Sequence, residues 1–112
     1  MIVHMTHADL IEQELSAGQA SLKIGNDGKA RVCARRAVAL AGEAWLRRHS
    51  AQAGRMDAMA HLHRIQADDS IPLSIRQAAE RLITTVTRRD SAPFTSDPIG
   101  DARIIVEYLT AG

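Results

Sequence analysis

The sequence predicts an all-α fold, an up-down bundle of four or five helices, and two observations lead to this prediction. Apolar residues recur at helical spacing in five segments that are separated by short polar turns. No stretch alternates between apolar and polar residues for long enough to form a strand. Hydrophobic residues make up 46% of the 112 residues and aromatic residues only 3%, so the core is expected to be aliphatic. We therefore expect residues 1–112 to form a single domain.

The first helix is predicted to begin after Thr6. Thr6 and Asp9 have the spacing of a capping box, with Asp in place of the usual Glu or Gln. Apolar residues follow at helical spacing as far as Leu22. The Gly-Asn-Asp-Gly segment at 25–28 then ends the helix, because it combines residues that tolerate positive φ with side chains that bond their own backbone.

The second helix is predicted over residues 29–48 and is expected to be the central one. Alanines and other apolar residues fill an arc of about 160° on one side. Val32, Ala39 and Leu46 form a second apolar stripe. A helix that is apolar on two sides lies in the middle of a bundle, and its many alanines let neighbouring helices approach closely. Trp45 stands at the edge of the large arc and is expected to be largely buried.

Three further helices complete the prediction. A short third helix covers residues 56–66. The fourth covers residues 72–86 and begins with a proline, whose missing N–H costs nothing in a first turn. The fifth has Asp97 as its N-cap and Pro98 as its first helical residue, and it continues to Leu109.

Composition excludes several classes of function. The net charge is +1, from 14 basic and 13 acidic residues, which is not the basic excess of a general nucleic-acid binder. The three aromatic residues, Trp45, Phe94 and Tyr108, make a poor stacking platform for single strands. No run of about 18 apolar residues is present, so no membrane span is expected. The single cysteine has no second cysteine with which to form an internal disulfide. We therefore expect a reducing, cytoplasmic location.

Residues 25–37 (Gly-Asn-Asp-Gly-Lys-Ala-Arg-Val-Cys-Ala-Arg-Arg-Ala) resemble the loop and second helix of HEPN domains (higher eukaryotes and prokaryotes nucleotide-binding). In that family a Gly-Asn turn leads into an Ala-rich helix. The stretch from Ser70 to Pro93 is similar to the later helices of the family, and the resemblance spans residues 8–109. It implies a helical bundle, often dimeric, which accompanies small nucleotidyltransferases in some members and is a ribonuclease toxin in others. The chain departs from the family pattern at Ala39, where many members carry Glu.

The ribonuclease members of this family use an arginine and a histidine a few residues apart. Arg55 and His61 have a fitting spacing, but a chain this rich in arginine and histidine produces such spacings by chance. Met56 also follows the arginine where active members usually have a polar residue. We therefore interpret the spacing as a coincidence and expect no catalytic residues.

No metal site or cofactor is expected either. His61 and His63 are two residues apart on a predicted helix and point to nearly opposite faces. His4 and His7 lie near the start of the chain, and zinc needs three or four convergent ligands. Cys33 lies on the apolar arc of the second helix, which is typical of a buried structural cysteine.

The start of the second helix is the candidate anion-binding site, formed by Gly28, Lys29, Arg31 and Arg35. A helix N-terminus offers unpaired N–H groups and a partial positive charge, which together suit a phosphate. The Walker-type spacing is absent, since Gly28-Lys29 lacks the upstream glycine and the following Ser or Thr. If Asp27 is the N-cap, its carboxylate occupies the place of an anion. The alternative is that these cations are solvated or paired with another helix.

Three functions follow as hypotheses. The first is a non-catalytic HEPN-like accessory or binding module for a nucleotide or a partner protein. The second is a structural bundle that associates with itself, and the remote third is a ribonuclease toxin. A homodimer is expected, because small bundles gain core by pairing and the family resemblance implies the same.

Overall fold

The computed structural model describes residues 5–49, 56–84 and 97–111. Its five helices are α1 (His7–Lys23), α2 (Asp27–His49), α3 (Ala58–Ala67), α4 (Leu73–Ile83) and α5 (Pro98–Thr110). Helices account for 83% of this described part, which holds no strand, and the predicted all-α bundle is confirmed. The predicted end of the fourth helix near residue 86 lies outside the described residues.

Two helix starts form as the sequence predicts. At α1 the Thr6 hydroxyl accepts a hydrogen bond from the Asp9 N–H, and the Asp9 carboxylate accepts one from the Thr6 N–H, both at 3.1 Å. At α5 the Asp97 carboxylate accepts from the Gly100 N–H at 3.0 Å, and Pro98 is the first helical residue. Both caps satisfy backbone donors that a helix leaves unpaired at its N-terminus.

The other three starts differ from the prediction, two of them because a neighbouring residue acts as the cap. Asn26 precedes α2, and its side-chain oxygen accepts from the Lys29 N–H at 3.2 Å, so α2 begins earlier than predicted, at Asp27. Asp57 caps α3 by accepting from the Ala60 N–H at 2.8 Å, so α3 begins later than predicted. At α4, Pro72 has an extended ψ of 145° and stands just before the helix instead of inside it.

The second helix is central, because α2 contacts all four other helices. It runs antiparallel to α1, since His7 at the start of α1 lies near Glu43 and Gly18 near its end lies against Cys33. The last turns of α2 and α5 meet where the Arg48 guanidinium donates to the Leu109 carbonyl at 2.5 Å. Along α2 between these contacts, exposed side chains include Val32, Arg36 and Arg47.

The core is aliphatic, as the composition predicts, and all five helices contribute to it. Its most completely buried large residues are Leu15, Val38, Leu62, Ile65, Ile71, Leu82, Ile105 and Leu109. The inner face of α2 supplies mostly alanines, which bring its neighbours close to its backbone. A β-carbon at Gly42 would lie 2.6 Å from the ring nitrogen Nδ1 of His61 on α3, so this glycine is required by close packing.

Two ion pairs hold α5 against its neighbours. Arg81 on α4 donates two hydrogen bonds to the Asp101 carboxylate, from Nε to Oδ2 at 3.1 Å and from Nη2 to Oδ1 at 2.8 Å. The Asp101 side chain is only 10% exposed, and the hydrogen bonds that its carboxylate accepts raise the pKa of Arg81. Arg103 pairs with Glu12 of α1 at 3.1 Å in a more exposed position, where such a pair contributes little to stability.

Within residues 5–49, 56–84 and 97–111, none of the helices combines the length and the apolar character that crossing a bilayer requires.

Candidate functional site

The turn before α2 has the backbone geometry expected of its sequence. Gly25 has a φ of 79°, a left-handed conformation that favours glycine. The N-cap is Asn26 and not Asp27, which corrects one alternative raised from the sequence. The Asn26 side-chain oxygen accepts a hydrogen bond from the Lys29 N–H, which is one of the donors that an anion would otherwise use.

The four residues of the predicted anion site lie in different environments. Gly28 and Lys29 are exposed at the start of α2. Arg31 is 6% exposed, and burial lowers its pKa. Arg35 is half-buried, and its Nε donates to the Leu82 carbonyl at the end of α4 at 2.8 Å. Arg35 therefore serves as a link from α2 to the C-terminus of α4.

His61 lies inside the packed contact between α2 and α3 and is 1% exposed. Neither ring nitrogen has a hydrogen-bond partner in the described part of the chain. Burial lowers the pKa of the ring and the nearby Arg64 lowers it further, so the folded state favours a neutral His61. Arg55, its partner in the ribonuclease hypothesis, lies outside the described residues.

Trp45 is partly buried and packs against the hydrophobic core, which agrees in part with the expectation that it is largely buried. Its ring stacks on His49 with centroids 4.1 Å apart, and the guanidinium carbon of Arg64 lies 5.1 Å from the ring centroid. These two polar side chains cover part of the indole, and the ring also packs against the core. The near-parallel rings of Trp45 and His49 suit aromatic stacking, and the charged Arg64 guanidinium suits a cation–π contact with the indole.

Of the remaining nucleophile and metal candidates, Cys33 is buried, His63 is exposed, and His4 lies outside the described residues. Cys33 is buried on the inner face of α2, and burial raises the pKa of its thiol, as does the nearby Glu14. Raised pKa values keep a thiol protonated and unreactive. Among the residues that the structure describes, no three His, Cys, Asp or Glu side chains converge as metal ligands.

A groove of about 250 Å³ separates α1 from α5. Ile11, Leu15 and Val106 contribute to its lining, and Glu12 and Arg103 stand on opposite sides of it. Because these two side chains pair with one another at 3.1 Å, an ion pair bridges the groove.

One side of α2 is here named the outward face and is defined by Val32, Arg36, Ala39, Glu43 and Leu46. Each of these residues is exposed or only partly buried, with Val32 41% exposed. The second apolar stripe of the sequence analysis therefore does not contribute to the core of the bundle. No helix in the described part of the chain covers Val32, and Ala39 and Leu46 are partly buried.

Comparisons with protein families, with curated proteins and with solved structures found no match to this chain. The resemblance to HEPN domains stays a prediction that rests on the residues quoted for it.

Proposed function

We propose that this chain is a non-catalytic, HEPN-like accessory module of the cytoplasm that binds a protein partner through the outward face of α2. The supporting observation is the line of Val32, Ala39 and Leu46 on the solvent side of the central helix. These residues recur every seven positions, which is the spacing of a helix that packs against another helix.

The surroundings of this line resemble a protein interface. Apolar side chains form its centre, and the charged Arg36 and Glu43 stand along one flank, as in an interface with a polar rim. The helix that carries them is packed against all four neighbours, so its outward face is held in place before binding. A surface that is already ordered loses little conformational freedom when it binds.

Phosphate or nucleotide binding at the start of α2 has weaker support. The Asn26 side chain occupies one backbone donor there, and Arg35 is engaged with the end of α4. Gly28 and Lys29 are the two predicted residues that stand exposed at this helix end. The geometry therefore favours a protein partner over a nucleotide.

Site-specific photocrosslinking tests the proposal. A benzoylphenylalanine at position 32, in the full chain expressed in cells, should yield covalent protein adducts on irradiation. The matched control places the same group at Gln77, which is exposed on α4 away from this face. Adducts at position 32 and none at position 77 are expected. Equal labelling at both positions, or no adduct at position 32, would contradict a binding role for the outward face.

A further inference from the structure

We propose that His61 makes the packed contact between α2 and α3 sensitive to acid. The contact is stable while the imidazole ring is neutral, and it loosens when the ring gains a proton. This switch is independent of the proposed function, because it belongs to the contact of α2 with α3 and not to the outward face.

The His61 ring is enclosed by the packing of α3 on α2. The residue is 1% exposed, and its Nδ1 lies so close to α2 that a β-carbon on Gly42 would come within 2.6 Å of it. The next residue, Leu62, is 0% exposed and belongs to the core. The ring therefore reaches water only if α3 moves away from α2.

Neither nitrogen of the His61 ring has a hydrogen-bond partner in the described part of the chain. A neutral imidazole carries one N–H donor and one acceptor, whereas the protonated ring carries two donors and a charge. Burial of an unpaired charge costs far more than burial of an unpaired neutral group. The packed contact therefore tolerates the neutral ring much better than the protonated ring.

The charged groups around the ring do not compensate for a positive charge on it. Arg64 lies one turn further along α3 and stays protonated, and its Nε and Nη2 atoms are also buried without a hydrogen-bond partner among the described residues. Glu43 of α2 and Asp57 at the start of α3 favour a protonated ring but form no hydrogen bond with it. In the part of the chain that the structure describes, α1, α4 and α5 place no charged group that acts on the ring. Protonation of His61 therefore adds a second cation beside Arg64.

The direction of the pH dependence follows from the protons that each state binds. His61 has an ordinary pKa near 6.5 in the unfolded chain, whereas burial and the nearby Arg64 lower its pKa in the folded chain. Below about pH 6.5 the unfolded chain therefore binds a proton that the folded chain does not bind. The stability that depends on the neutral ring is complete above this pH and is lost as the pH falls below it.

Urea denaturation at pH 7 and at pH 5 tests the switch. Between these two pH values, the unfolding equilibrium constant of the unaltered chain should rise by about tenfold or more beyond the rise in His61→Leu, because one additional proton binds on unfolding. The matched control is His63→Gln, since His63 is exposed on the same helix, and it should keep the full pH dependence. Equal pH dependence in the unaltered chain and in His61→Leu would overturn the proposal, as would its loss in His63→Gln.

The single tryptophan separates a loosened α2–α3 contact from a general loss of stability. The Arg64 guanidinium of α3 lies 5.1 Å from the centroid of the Trp45 ring on α2, so movement of α3 uncovers the indole. Acrylamide quenching of its fluorescence should increase from pH 7 to pH 5 in His49→Gln, which lacks the histidine that stacks on the ring. The increase should be absent in His49→Gln/His61→Leu. Equal quenching at both pH values in His49→Gln would contradict an opening of the contact.

NMR titration of the histidine rings in the unaltered chain does not depend on whether His61→Leu folds. His61 should still be neutral at about pH 6, where an exposed histidine is mostly protonated. A His61 ring that is mostly protonated at this pH while the chain stays folded would show that the packed contact accepts the charge, and the proposal would be wrong.

Discussion

Leu82→Ala is expected to lower the free energy of unfolding by about 2–5 kcal/mol. Leu82 is 0% exposed and belongs to the core that the five helices share. Truncation removes apolar contacts and leaves a cavity that the surrounding helices fill only in part. Urea denaturation followed by far-ultraviolet circular dichroism measures the loss.

Leu73→Ala is the matched control, because Leu73 lies on the same helix and is 59% exposed. A surface substitution of this kind is expected to change the free energy of unfolding by no more than about 0.5 kcal/mol. Similar losses in the two variants would mean that the buried side of α4 is assigned incorrectly.

Gly42→Ala is expected to destabilise the bundle despite the higher helix propensity of alanine. The new β-carbon would lie 2.6 Å from Nδ1 of the buried His61 ring, and also 3.2 Å from its Cγ and Cε1, so the ring must move within a packed contact. Overpacking of this kind costs about 1–3 kcal/mol, whereas the gain in propensity is about 1 kcal/mol. The net loss should appear as a lower urea midpoint.

Gly28→Ala provides the comparison, because it lies on the same helix and a β-carbon there meets no atom within 4 Å. This variant should be as stable as the unaltered chain or slightly more stable. A stabilising effect of Gly42→Ala would show that α2 and α3 do not pack as closely as described.

Helix positions were predictable where local chemistry decides them. The Thr6–Asp9 capping box and the Asp97-Pro98 start involve residues that are close in sequence, and both predictions are confirmed. The start of α2 was less certain because Asn26 and Asp27 are both good caps, and the choice depends on which side chain reaches the Lys29 N–H. Local sequence does not make that choice.

Burial of individual side chains was less predictable, because it depends on which helices pack on which flank. Trp45 stands at the edge of the apolar arc, and the structure packs it against the core and also against the polar side chains of His49 and Arg64. Arg35 was expected to be available to an anion or paired elsewhere, and its actual acceptor is a carbonyl of α4 that is distant in sequence. A hydrogen bond between residues this far apart in sequence cannot be predicted from the spacing of residue types along one helix.

The second apolar stripe of α2 shows the same limit. The heptad spacing of Val32, Ala39 and Leu46 was visible in the sequence, and it indicated a helix surrounded by others within its own bundle. The structure leaves Val32 41% exposed and Ala39 and Leu46 partly buried, and none of the three belongs to the core. The spacing identified a line of apolar residues along α2, and only the fold shows that no helix among the described residues buries this line in the core.

A charge at the centre of the outward face tests the central claim most directly. Ala39→Glu, in the full chain that carries benzoylphenylalanine at position 32, should reduce the photocrosslinked protein adducts by about tenfold or more, because a charge at the apolar centre of an interface opposes binding. Glu107→Arg, an exposed charge reversal on α5, should leave the adducts unchanged. Adducts that survive Ala39→Glu, or that are lost equally in Glu107→Arg, would contradict the account.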